Sequence, residues 1–169
     1  MVAHVISYDN LNTRALLTLA ARSRLRPSQV NAAALARYNT HSPGQLLALL
    51  TDHLQPQGLH GTPGGRVALA EALIHHQDIR RPLRQPRTIP TERLLPALRT
   101  ALIAPDIAGI WRIRGVRLVA TDLDFSAGIG PAVRGEAEAL LMTIAGRRGV
   151  VNELSGPGQR KLVRRIDGR

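Results

Sequence analysis

The sequence predicts an α+β protein that is mainly α: an antiparallel helix bundle over residues 1–105, followed by a small α/β cap over residues 110–169. Three observations carry that expectation. Apolar residues recur at helical spacing through the first hundred positions, Ser-Pro, Thr-Pro and lone Pro signals cut that stretch into separate helices, and after Trp111 the period drops to two. A chain of 169 residues can bury a core without staples, and it has none: the absence of cysteine excludes a disulfide framework, a thiolate zinc site, an iron–sulfur cluster and a cysteine nucleophile.

The elements follow in order. His4, Tyr8, Leu11, Ala15 and Leu19 recur at spacings of three and four, which predicts a first helix over 2–21. A second is expected over 28–38. The third opens at Ser42-Pro43-Gly44-Gln45, where serine is an N-cap, proline fits the first turn and glutamine completes a capping box, and it carries Leu46, Leu47, Leu49 and Leu50. Thr62-Pro63 repeats the start signal for a long helix over 65–81, which must stop near Pro82. Pro90 starts a shorter helix through Leu94, Leu95, Leu98 and Leu102, with Pro96 either in its first turns or kinking it. Val116, Leu118 and Ala120 then alternate with Arg117, Val119 and Thr121 as a strand. Residues 121–131 are rich in turn signals, Ala132-Val133-Arg134 is a short β candidate, and a helix is expected over 136–145. Ser155-Gly156-Pro157-Gly158 announces a last, basic helix ending near Ile166.

The formal charge is +11, and 22 of the 23 basic residues are arginine, so a polyanion is the first partner to consider. One Trp, one Phe and two Tyr leave almost no stacking platform for single strands, and no short segment collects a dense basic run. A dedicated nucleic-acid partner is discounted on those grounds. No apolar run approaches the roughly 18 residues of a membrane span, and Met1 opens into a mixed polar segment instead of a basic n-region, so the expectation is a cytoplasmic protein with no membrane partner.

The chemistry concentrates in the long fourth helix. Helical spacing puts Glu71, His75 and Asp78 in one stripe, with Val67, Ala70 and Ile74 on one side and Ala68, Ala72 and Ile79 on the other. Polar groups in the middle of an apolar arc must be paired or must hold a metal. Donors at i and i+4 converge on a common point, and glutamate with histidine suits Zn²⁺, Fe²⁺ or Mn²⁺. His4, on the apolar stripe of the first helix, is the best third ligand; His76 is turned away from His75, and His41, His53 and His60 fall in or near loops. The competing reading is a plain hydrogen-bonded Glu–His pair. Elsewhere, Gly128-Ile129-Gly130-Pro131 lacks the rest of a phosphate cradle and reads as a turn, Asp122 and Asp124 could pair on magnesium but read rather as strand-to-turn caps, and Arg160, Lys161, Arg164 and Arg165 read as a solvated basic face.

Val2-Ala3-His4-Val5, the run from Ala70 through Glu71, His75, His76, Asp78, Arg80 and Arg81 to Leu83, the segment Val119-Ala120-Thr121-Asp122-Leu123-Asp124-Phe125-Ser126, and Arg134-Gly135-Glu136-Ala137-Glu138 with Gly146-Arg147 resemble, in the right order, the mycothiol-dependent maleylpyruvate isomerase family, one of the DinB-like metal-binding bundles. The resemblance implies a divalent metal, commonly zinc, on His4, Glu71 and His75, together with mycothiol as an external thiol. Members of that family carry a further helix and a tryptophan-containing turn ahead of the Val-Ala-His motif, where this chain begins. The resemblance thus implies a bundle lacking its first helix, with an apolar groove along Leu11, Ala15 and Leu19. An upstream segment or a partner subunit, as in a homodimer, would cover that groove, unless the chain is a degenerate paralogue.

The function expected from these residues is a metal-binding isomerase or S-transferase-like protein that joins a low-molecular-weight thiol to a small electrophile. Asp78 is expected to orient a ligand or act as a base, and Arg80 or Arg81 to clamp a carboxylate. Asp78 and Arg81 could alternatively form only a helix-surface pair. A non-catalytic metal-binding paralogue and a metal-dependent hydrolase are the alternatives, because a three-ligand metal can activate water as well as a thiol.

Overall fold

The computed structural model describes residues 2–9, 18, 27–52, 65–105 and 107–168. It divides into two compact units, Met1–Glu71 and Ala72–Arg169. Among the described residues the architecture is mainly helical with one three-stranded sheet, and no helix is long and apolar enough to cross a membrane.

In the first unit, α1 (Val2–Asp9) packs on α2 (Pro27–Ala36) and α3 (Pro43–Asp52). Ile6 of α1 and Val30 and Ala34 of α2 are buried, the last two four residues apart on one helical face. Ser7 is also buried, and its hydroxyl donates to the His4 carbonyl at 2.8 Å. The capping box at α3 forms as expected: the Ser42 amide donates to Gln45 Oε1 (2.8 Å) and the Gln45 amide to Ser42 Oγ (3.3 Å). The leucine run of α3 does not sink into a core. None of its side chains is fully buried, and Leu47 is exposed. Leu11, Ala15, Leu19, the start signal Thr62-Pro63, His53 and His60 lie outside the described residues.

The long helix α4 (Arg66–Arg80) is an uninterrupted rod, and the division between the units falls within it. Its fully buried line is Ala70, Ile74 and Gln77, at i, i+4 and i+7, while Ala72 and Ile79 are exposed. Glu71, His75 and Asp78 are half-buried, so they border the buried face and are not at its centre, as the apolar arc had suggested. Helical projection weights every alanine as apolar, and Ala72 costs nothing when left in water.

The second unit is built around α7 (Ala137–Ile144). It follows α5 (Thr91–Ile103), α6 (Gly109–Arg112) and the strands β1 (Arg117–Ala120), β2 (Ser126–Gly128) and β3 (Ala132–Gly135). Every residue of α7 except Glu138 is buried, which a helix tolerates only when covered on all sides. α5 packs along α7 through Leu94, Ala97, Leu98 and Ala101, although sequence pattern groups α5 with the bundle. Pro96 lies inside α5, past the first turn. The sheet order is β2-β1-β3, with β1 antiparallel to β2 and parallel to β3, pairing Leu118 with Val133 over the buried face. β2, within the turn-rich stretch, is the strand that pattern misses, because Ser126-Ala127-Gly128 has no apolar alternation. Asp122, expected to cap the strand-to-turn junction, instead accepts a hydrogen bond from the Ala137 amide (2.8 Å) at the start of α7. A 3₁₀ turn (Val150–Glu153) leads to α8 (Gln159–Leu162), which continues as one wider turn through Val163–Asp167.

Candidate functional site

The second half of α4 places a chain of charged groups within the second unit. His75 Nδ1 stands 3.1 Å from Asp78 Oδ2, one helical turn on. Asp78 is in turn gripped by Arg147, whose Nε donates to Oδ1 (2.8 Å) and Nη2 to Oδ2 (2.6 Å). Burial alone would raise the Asp78 pKa; the two Arg147 hydrogen bonds and that charge, and then His75, outweigh it and hold the carboxylate below its ordinary range. With the carboxylate ionised, the contact leaves Asp78 Oδ2 as acceptor towards His75 Nδ1. His76, one residue on, has its pKa lowered by burial and by the charges of Arg87 and Arg80.

The two arginines expected to clamp a carboxylate are engaged with the chain itself. Arg80 Nε donates to the Gln85 carbonyl (2.9 Å) and Nη2 to the Pro86 carbonyl (3.3 Å), tying down the loop after α4. Arg81 takes two carboxylates. Its Nε donates to Glu138 Oε1 (2.9 Å) and Nη2 to Oε2 of the same residue, while Nη1 donates to Glu153 Oε1 (2.6 Å) and Nη2 to Glu153 Oε2 (3.1 Å). Asp78 and Arg81 therefore do not pair with each other; each finds a partner from the last third of the chain. A cleft of about 460 Å³ opens beside these groups, lined among others by Gln77, Asp78, Arg81, Met142, Arg147 and Glu153.

Of the expected site residues, Glu71 and His75 stand four apart on α4, Asp78 backs His75, and His4 sits half-buried on α1. Among the described residues, no group of three or more His, Asp or Glu side chains is gathered closely enough to hold an ion. The donor chemistry of the α4 pair suits a borderline divalent metal, and the Asp78 contact is the kind that orients a ligating imidazole. Arg147, Glu138 and Glu153 are the members of the site that spacing could not reveal, because they lie 57 to 72 residues from their partners.

Comparison with family models, with curated proteins and with solved structures gives no match to this chain.

Proposed function

We propose that this is a cytoplasmic metal-binding protein of the mycothiol-dependent maleylpyruvate isomerase type, which uses an external thiol on a small electrophile. The observation that supports it best is the relay Arg147–Asp78–His75. An ionised carboxylate, itself locked by a two-point arginine contact, stands at hydrogen-bond distance from His75 Nδ1, the kind of contact that orients a ligating imidazole. In this reading Glu71 and His75 hold the ion from α4, and His4 is the third donor that the family resemblance supplies. A bound divalent cation would lower the pKa of an incoming thiol, so that the thiolate forms near neutral pH. The chain's own part is then to hold His75 in register through Asp78 and Arg147. No cysteine is present to serve as an internal nucleophile, so the thiol must come from outside.

Metal analysis of the purified protein tests this directly. The expected result is one divalent ion per chain, lost in His75→Ala and kept in His76→Ala, with Asp78→Asn weakening affinity by about 10- to 100-fold. Equal loss in the two histidine variants would overturn the choice of helix face. Offering the metal-loaded protein a cis-enoate with and without mycothiol then separates the mechanisms, since turnover at equal rates without thiol would favour a hydrolase.

A second reading is that the cluster is structural only. It is favoured by the fact that Asp78, Arg80 and Arg81 are each satisfied by groups of the chain itself. Protein without metal, with a full cooperative melt and no turnover in either assay, would establish it.

A further inference from the structure

Three segments meet at one end of the sheet in the second unit. The Arg117 amide donates to the Pro131 carbonyl (3.0 Å) and the Gly158 amide to the Ala132 carbonyl (3.0 Å), which brings the start of β1, the turn before β3 and the start of α8 together. Lys161 Nζ reaches the Gly115 carbonyl (3.4 Å), and Arg165 Nη1 spans the carbonyls of Arg112 (2.5 Å) and Arg114 (2.8 Å). Arg114, Arg117, Arg160, Lys161, Arg164 and Arg165 are all exposed, and among the described residues no ion pair engages them.

Ile129 protrudes beside these cations. Gly128 and Gly130 flank it at φ +87° and +131°, where a side chain is strained, and a Cβ at either would run into the backbone carbonyl of Val116 or Gly115. The turn is therefore held close against the loop that carries Arg114, and Ile129 stands 88% exposed. Trp111 (67% exposed) and Ile110 lead into the same loop. A rigidly presented isoleucine is a poor choice for a surface meant to stay in water. Peripheral membrane attachment generally needs two signals, basic charge facing anionic headgroups and apolar side chains entering the interface, where tryptophan is favoured. A nucleic-acid duplex would account for the arginines but not for the protruding isoleucine.

We propose that this end of the sheet docks on an anionic lipid surface, with the six cations at the headgroup phosphates and Ile129 and Trp111 in the interface. Docking of this kind needs no membrane-spanning segment, so it stands beside the absence of a spanning helix among the described residues.

Trp111 is the only tryptophan in the chain, so its emission reports on this surface alone. The full chain is titrated with vesicles of phosphatidylglycerol mixed with phosphatidylcholine, and with phosphatidylcholine vesicles as control. The expected result is co-sedimentation and a blue shift with the anionic vesicles only. Ile129→Asp and the pair Arg114→Glu/Lys161→Glu should each weaken binding by about tenfold or more without lowering the melting temperature. Should the charge pair disturb its loop, Arg160→Glu/Arg164→Glu repeats the test on exposed side chains. An unshifted Trp111, equal binding to neutral vesicles, or variants that bind as the parent does would overturn the proposal. So would a chain that ignores vesicles and binds a DNA duplex with a steep salt dependence, which would make the surface a nucleic-acid one.

Discussion

Arg81 shows how a single side chain can join distant parts of the chain. It receives one carboxylate from α7 and one from the 3₁₀ turn, and the two differ in setting: the Glu138 side chain is 21% exposed and that of Glu153 is 51% exposed. Charge-assisted hydrogen bonds in partial shelter are worth more than the same bonds in water. Replacing Glu138 by alanine should therefore cost about 1.5 to 3 kcal/mol, and Glu153→Ala no more than about 1 kcal/mol, in urea unfolding monitored by circular dichroism. Similar losses in the two variants would mean that the guanidinium simply shifts to whichever carboxylate remains. Helical spacing marked Asp78 as a group in need of a partner, and guanidinium chemistry marked Arg81 as a carboxylate clamp, whose carboxylates turn out to be the chain's own. Neither could name Glu138, Glu153 or Arg147, because nothing local in a sequence encodes a contact 57 or more residues away.

At the scale of elements, local signals and packing signals fared differently. The α3 start was legible because a capping box is a contact within four residues, and its stability is local too. Ser42→Ala should lower helix stability by about 0.5 to 2 kcal/mol, read as reduced amide protection at the start of α3. The short helix α6 was not legible, since four residues have no period, and what holds it is close approach. Gly109 at its start is buried against the Ala101 carbonyl of α5 and the Ile144 side chain of α7, where a Cβ would collide with both. Gly109→Ala should accordingly destabilise the second unit by about 1 to 3 kcal/mol, seen as a lower midpoint in thermal or urea melts. A neutral or stabilising alanine there would show that α6 can slide away from α5 without loss. β2 was hidden for a related reason: its three residues are placed by pairing with β1, and their own composition argues for a turn.

At the scale of the molecule, the large, almost fully buried side chains among the described residues include Leu98, Ile113, Leu118, Leu140, Leu141 and Ile144 in residues 72–169 and Ile6 in the first unit. Native-state hydrogen exchange should follow that distribution, with the slowest amides in α7 and β1 and faster exchange in α3, which has no fully buried side chain. Uniform protection across the two units would contradict it. The sequence by itself determined the mainly helical class with a small β region, the starts of α3 and α5, the run of β1 and β3, the turn at Gly128 to Pro131, and the Glu71, His75 and Asp78 stripe. Each of these rests on period, capping or turn chemistry within a few residues. Only the tertiary structure decided that the stripe borders the buried face of α4, that Asp78 answers to Arg147, and that Lys161 and Arg165 reach the loop against which the Gly128–Gly130 turn lies. Those outcomes depend on which faces meet, and a linear pattern records the face of a helix but not the partner that covers it.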